Sequence, residues 1–165
     1  MFVVETSMRC ALRRLVCLGG LLATTLLGCG GAASSDLDVT EARAALRTLL
    51  MDTVQSVAPG VEAKVLLDRA PSRCRSGLFG QEIDTESATL FLAVVVDKGE
   101  EKAALDNVVA AWGRSGVRLY RGRIDASSPE VTGDRPGFGV RVLAVPDSGQ
   151  IGLSGQTDCL EAAGG

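Results

Sequence analysis

Histidine is missing from this chain of 165 residues. Its absence removes Ser-His-Asp and Cys-His nucleophilic sites, imidazole base catalysis and the common zinc sites. No Gly-rich phosphate loop of the P-loop or dinucleotide type stands at a strand-to-helix junction. Gly77-Leu78-Phe79-Gly80 and Gly137-Phe138-Gly139 are too short to cradle a phosphate, and with 20 glycines such pairs arise from composition. No Cys-X-X-Cys motif tunes a thiol for redox work. The apolar stretch Leu15 to Leu27 has 13 residues, short of the roughly 20 that a helix needs to cross a bilayer core of about 30 Å. Catalysis would have to rely on carboxylates alone. The expectation is a protein that is not an enzyme and uses no cofactor.

What is present begins with Arg9, Arg13 and Arg14 ahead of the apolar run Leu15 to Leu27, which Gly28-Cys29 closes. A basic flank, a short apolar core and a small residue before a cut describe a secretory signal. Nothing polar patterns the run with a helical period, which separates it from a buried core helix. The cut falling before a cysteine resembles the lipobox of bacterial lipoproteins, with Leu27 standing where that family more often has Ala, Ser or Thr. The resemblance implies that residues 1–28 are a lipoprotein signal peptide and that Cys29 is lipidated and becomes the new N-terminus. Each buried methylene contributes about 0.8 kcal/mol and one chain binds only marginally, so two or three palmitate-like chains make a stable anchor. Residues 29–38 are small and polar after the cysteine, which suits a flexible tether. Glu5 is out of place in a basic leader, and a cleaner signal starts at Met8. The expected location is the extracytoplasmic side of a cell membrane, anchored by lipid without crossing. In a two-membrane host, Gly30 rather than Asp after the cysteine permits export to the outer membrane.

Residues 1–28 hold three arginines and one glutamate, so the chain's net charge of −3 becomes −5 for residues 29–165. Nucleic acid and anionic lipid surfaces are poor partners for that balance. Lys64, Lys98 and Lys102 are the only lysines among 17 basic residues. With abundant Ala, Gly and Val, this composition fits a GC-rich genome. Of five cysteines, the lipobox resemblance implies that Cys10 and Cys17 leave with the signal and that Cys29 carries the lipid. Cys74 and Cys159 remain as a pair, for which a disulfide is the default in an oxidising compartment. Closing a loop of about 85 residues contributes on the order of 4–5 kcal/mol in the chain-entropy model.

Residues 39–165 are expected to form a single α+β domain. Asp38 with Glu41 three residues on reads as a capping box. Ala42, Leu46, Leu49, Leu50, Val54 and Val57 then recur at helical spacing, predicting a helix from Val39 to Val57 that Pro59-Gly60 ends. Val61 to Asp68 alternates as a half-buried strand. Arg69 to Glu86, rich in Pro, Ser, Gly and charge, reads as a loop. Thr89 to Val96 is almost continuously apolar and reads as a central strand covered on both faces or nearly so. Gly99 to Gly113 is a second helix, with Glu100 and Glu101 favouring its N-terminus and Leu105, Val108, Val109 and Trp112 on one face. Val117–Ile124, Gly137–Val145 and Ile151–Gln156 read as three more strands, the last two joined tightly at residues 146–149. Asp125 to Pro136 reads as an exposed loop. The fold class is an antiparallel sheet of about five strands with two amphipathic helices packed on one face.

Four constellations bear on function. Leu78 and Phe79, apolar within a polar loop beside Cys74, are the candidate partner surface; the alternative folds them back onto the sheet. Asp125, Glu130 and Asp134 offer oxygen ligands of the type calcium takes, but they lack EF-hand spacing and Arg135 competes for their charge, so a solvated loop is preferred and no metal site is assigned. Arg118, Arg121 and Arg123 lie on one strand, with Arg141 as a cross-strand neighbour of Arg118, which reads as a charged sheet face rather than a phosphate patch. Trp112 is assigned to the core, with Tyr120 weighed as a pocket-lining residue.

The lipobox, the N-terminal helix, Trp112 near the end of a second helix and the closing Gly155-Gln156-Thr157-Asp158-Cys159 together look like small actinobacterial lipoproteins. Many of these end on a Ser-Pro-Cys turn, and the proline is missing here. That resemblance implies a lipid-anchored, disulfide-bonded domain and supplies no catalytic residues. The function expected is a non-catalytic binding or interaction module of the cell envelope, with an unspecified envelope protein or ligand as partner. The alternative is a carrier or chaperone of an apolar ligand held in a cavity between helices and sheet.

Overall fold

In a computed structural model, residues 36–76, 80–124 and 127–162 are described, all within one compact unit, Ala32–Gly165. The signal segment, Cys29, Leu78, Phe79 and Asp125 lie outside the described residues. Helix α1 spans Val39–Val57. Its cap is reciprocal: Asp38 Oδ1 accepts from the amides of Thr40 and Glu41 at 2.8 Å each, and Glu41 reaches back to the Asp38 amide. Val39, Ala42, Leu46, Leu49, Leu50, Val54 and Val57 are buried along one side. Helix α2, Glu101–Arg114, buries Ala104, Leu105, Val108 and Trp112.

The strands are β1 Lys64–Ser76, β2 Gln81–Val95, β3 Arg118–Gly122, β4 Glu130–Arg135, β5 Phe138–Val145, β6 Gln150–Thr157 and β7 Leu160–Glu161. They form one antiparallel sheet in the order β1-β2-β6-β5-β4-β3, with β7 also paired to β2. Side chains alternate across it, as a strand's period of two requires. Ala88, Leu90, Leu92 and Val94 of β2, Val140, Val142 and Ala144 of β5, and Ile151 and Leu153 of β6 are buried beneath the helices. Thr89, Phe91 and Ala93 of β2, and Gly139, Arg141 and Leu143 of β5, point the other way and are half-buried or exposed. Among the described residues, the helices therefore cover one face and leave the other open.

The architecture is the expected α+β arrangement with more strand than the sequence pattern predicts. Most of the described residues between 69 and 86 are strand rather than loop. Residues 69–76 and 81–86 form the outer arms of a long β1–β2 hairpin, in which Arg69 pairs with Thr89, Arg73 with Glu86 and Arg75 with Glu82. Both arms are largely exposed, so no hydrophobic alternation announces them. Strand β2 is covered on one face only, because Val95 is exposed and Phe91 lies on the open side. Within the expected loop at 125–136, Glu130–Arg135 is β4, inserted between β3 and β5. Arg118 and Arg141 are consequently two strands apart rather than neighbours.

The expected disulfide is present, with Cys74 and Cys159 Cα atoms 6.1 Å apart. Glu86 of β2 pairs with Arg73 on one side and with Leu160 on the other. The bridge thus spans β2 and ties the hairpin to the segment that leads into β7. Thr157, the residue two before Cys159, is buried and accepts from the Ala88 amide at 2.8 Å.

Two close approaches set the layer spacing. A Cβ on Gly155 would overlap Leu46 Cδ1, and the same atom would lie 3.1 Å from Gly139 O; one on Gly133 would lie 2.6 Å from Val117 Cγ1. Two polar side chains between the layers are paired: Trp112 Nε1 donates to Thr53 Oγ1 at 2.8 Å, and Thr53 donates to Leu49 O at 2.7 Å. Glu101 is nearly buried and clamps two turns, accepting from the Gly99 amide at 2.8 Å and from the Gly149 amide at 2.7 Å. Gly149 has a φ of +70°, and a Cβ there would strike Val96 O, so glycine is required. Replacing Gly155 by Ala inserts a methyl into a filled contact and should cost about 1–3 kcal/mol. Urea denaturation of the two proteins measures it, and an unchanged midpoint contradicts the packing described.

Candidate functional site

The open face is ordered by the register. One row of paired residues runs Thr89, Gln156, Gly139, Asp134, Arg118, and the next runs Phe91, Ser154, Arg141, Thr132. Apolar groups lie around Phe91: Leu67 of β1 pairs with it, its ring lies over Gly152, and Val95 of β2 and Val145 of β5 are exposed at one end of the strands, while Lys64 and Arg69 of β1 pair with Ala93 and Thr89. Toward β3 the face is ionic.

The ionic half holds two carboxylates, each gripped by arginine. Glu130 accepts from Arg123 through Nε and Nη2 and from Arg141 Nη2 at 2.5 Å. Its side chain is 13 % exposed, against 59 % for Arg123 and 53 % for Arg141. Asp134 receives a two-pronged contact from Arg118, at 3.0 and 2.7 Å, and a hydrogen bond from the Tyr120 hydroxyl at 2.5 Å. The Arg118 guanidinium carbon lies 5.1 Å from the Tyr120 ring centre, and the guanidinium donates to the Tyr120 oxygen as well. In both groups the acid is tucked in and the cations point outward.

These contacts fix the protonation. The hydrogen bonds from Arg123 and then Arg141 hold the Glu130 carboxyl below its ordinary value, and Arg118 does the same for Asp134. Asp134 in turn pushes the Tyr120 hydroxyl up, and Arg118 is raised by the same partners, Asp134 first. All four are locked as two anions, a neutral phenol and a cation near neutrality. None is poised to exchange a proton there.

A groove of about 380 Å³ opens on this face, lined by Thr89, Gly139, Arg141, Ser154 and Gln156 with Gly133, Val140 and Gly155. Among these described residues Arg141 is the charged one, and none is acidic. A second groove of about 380 Å³ lies where α1 ends, between Val57, Ala58, Pro59 and Val61, the end of β2, and Glu100, Ala103 and Asn107 of the second helical segment. It is open to solvent at the end of the layers. The interface itself is filled by fully buried side chains, among them Trp112, Leu46, Leu50, Leu105 and Val108.

Of the residues singled out from sequence, Cys74 and Cys159 are joined, Trp112 is in the core and Tyr120 is exposed beside Arg118. Glu130 and Asp134 sit on β4 and are bound by arginine, not free in a loop. Cys29, Leu78 and Phe79 lie outside the described residues. Sequence reasoning missed the groove residues Thr89, Gly139, Ser154 and Gln156. Outward polarity along β6 (Gln150, Ser154, Gln156) was visible, but their alignment with Gly139 depends on register between strands.

Because both carboxyls are depressed in the folded state, their contribution to stability is full above their unfolded values, ordinarily 4.5 and 3.8. It is lost as pH falls through the folded values. Glu130→Gln should therefore weaken the protein at pH 7 and narrow its advantage over pH 3, which urea midpoints across that range measure. An acid limb identical to that of the unaltered protein would contradict the pairing. No family model, curated protein or solved structure matches the chain.

Proposed function

We propose that the chain is an exported lipoprotein, held by acyl chains on Cys29 at the extracytoplasmic side of a membrane. It acts there as a non-catalytic module that binds a partner through the uncovered face of its sheet. The observation that carries this reading is the one-sided helical layer. Six strands present a continuous face with apolar Leu67 toward β1, Val95 and Val145 exposed together at one end of the strands, and outward guanidinium groups toward β3. Apolar area exposed beside organised charge is the composition of a contact surface.

The location rests on two supports. One is the leader that resembles a lipobox, with Arg9, Arg13 and Arg14 before the apolar run and Gly28-Cys29 at its end. The other is the disulfide, a bond that persists in oxidising compartments and is rare in the cytosol. Among the described residues no helix is long and apolar enough to cross a membrane. In the anchored state the short segment 29–38 joins Cys29 to the capped start of α1.

Feeding cells an alkyne analogue of palmitate tests this directly. The protein should take up label, and Cys29→Ser should abolish it and release the protein from the membrane fraction. An unlabelled protein, or label that survives Cys29→Ser, would contradict the reading.

A further inference from the structure

Gly139 is a glycine that the packing does not require. Cβ atoms on Gly133 and Gly155 would strike Val117 and Leu46, whereas one on Gly139 would find nothing nearer than Gly133 O at 4.0 Å. Glycine weakens a strand interior and often marks a bulge, a bend or a place where a ligand or another backbone comes close. The pairing of β5 with β4 and with β6 runs through Gly139 without a register shift, which leaves close approach. The space above it is the groove on the open face.

The walls of that groove are chemically one-sided. Arg141 gives an Nη2 donor to Glu130, one of the five N–H donors that a guanidinium carries. Glu130 is shared with Arg123, so the three side chains together keep one net positive charge. Ser154 Oγ is 3.5 Å from Arg141 O, the outer limit of a hydrogen bond, which leaves that hydroxyl available. Gln156 is exposed and Thr89 half-buried, both in register with Gly139. Most of the surface facing the groove is carbon. A ligand that fits has a flat carbon face, hydroxyl groups around it and a negative charge at one edge.

We propose that this groove binds an anionic saccharide unit, a sugar ring bearing a carboxylate or phosphate. The ring lies over Gly139, its oxyanion meets Arg141, and its hydroxyls meet Ser154, Gln156 and Thr89. The placement suits the protein's charge: the body is acidic, and at this place the exposed charge is basic. The inference rests on the reading of the open face as the binding face and supplies the ligand class.

The test titrates full-length protein in detergent with glucuronate, glucose 6-phosphate and glucose, following backbone amide resonances. Both charged sugars should move the amides of Gly139, Arg141, Ser154 and Gln156. Glucose should bind about tenfold more weakly, and Arg141→Gln should weaken the charged sugars by about tenfold or more, the scale of one charge-assisted hydrogen bond. Gly139→Val, which fills the floor, should remove binding while the thermal midpoint holds. Equal binding of glucose, unchanged binding by Arg141→Gln, or shifts confined to other residues would overturn the proposal. If Gly139→Val does not fold, Arg141→Gln on the exposed surface decides alone. The titration needs no acyl chain, so an absent lipid anchor would leave its result intact and would fault only the assigned location.

Discussion

Leu46 of α1 rests on the bare backbone of Gly155, and the rest of the molecule is arranged around that contact. With no side chain on β6 at this point, the helix sits close enough for Leu49, Leu50 and Val54 to reach the sheet. Trp112 from α2 closes the space beside it and spends its one polar atom on Thr53 of α1. Burying such side chains contributes about 1.5–3 kcal/mol each, so the helical face is where stability resides. The opposite face is relieved of that duty. It can carry glycine at 139 and 152, arginine at 118, 123 and 141, and outward hydroxyls.

The two ends of the sheet are secured differently. At the β5–β6 turn, Glu101 holds the Gly99 and Gly149 amides at once, joining the start of α2 to the hairpin. Hydrogen bonds from backbone amides, its own and that of Gly149 first, keep this carboxyl below its ordinary value. At the far end the long β1–β2 hairpin runs past β6 and has little apolar burial of its own. There the Cys74–Cys159 bridge, β7 and the Thr157 hydroxyl fasten it, while Arg43 and Arg47 reach from α1 to Asp68 at 2.6 and 2.8 Å. Covalent bracing appears where the hydrophobic core does not extend.

The legible parts of the fold are those whose burial follows a local period. Helix α1 could be read to its boundaries because Asp38 and Glu41 form a cap and its apolar residues keep helical spacing. Strands β5 and β6 were legible from alternation. The hairpin arms were not, because residues 69–76 and 81–86 are largely exposed and carry Pro71, serines and charges that read as loop. Strand β4 hid for a related reason: its inward positions are Val131 and Gly133, and a glycine facing Val117 leaves no apolar signal. Phe91, Ala93 and Val95 made β2 look covered on both sides, although they face outward. Individual groove residues were in plain view, but only the pairing of Gly139 with Gln156 and Asp134 makes them neighbours, and register is a property of the assembled sheet.

The central claim is that the face left bare by the helices is the one that meets a partner. Hydroxyl-radical footprinting of the protein on intact cells and after purification compares the two faces directly. On the cells, Phe91, Tyr120 and Leu143 should lose reactivity, while Met51 on the exposed side of α1 should react equally in both. Equal reactivity of the open-face residues in the two states, or protection at Met51 instead, would contradict the account.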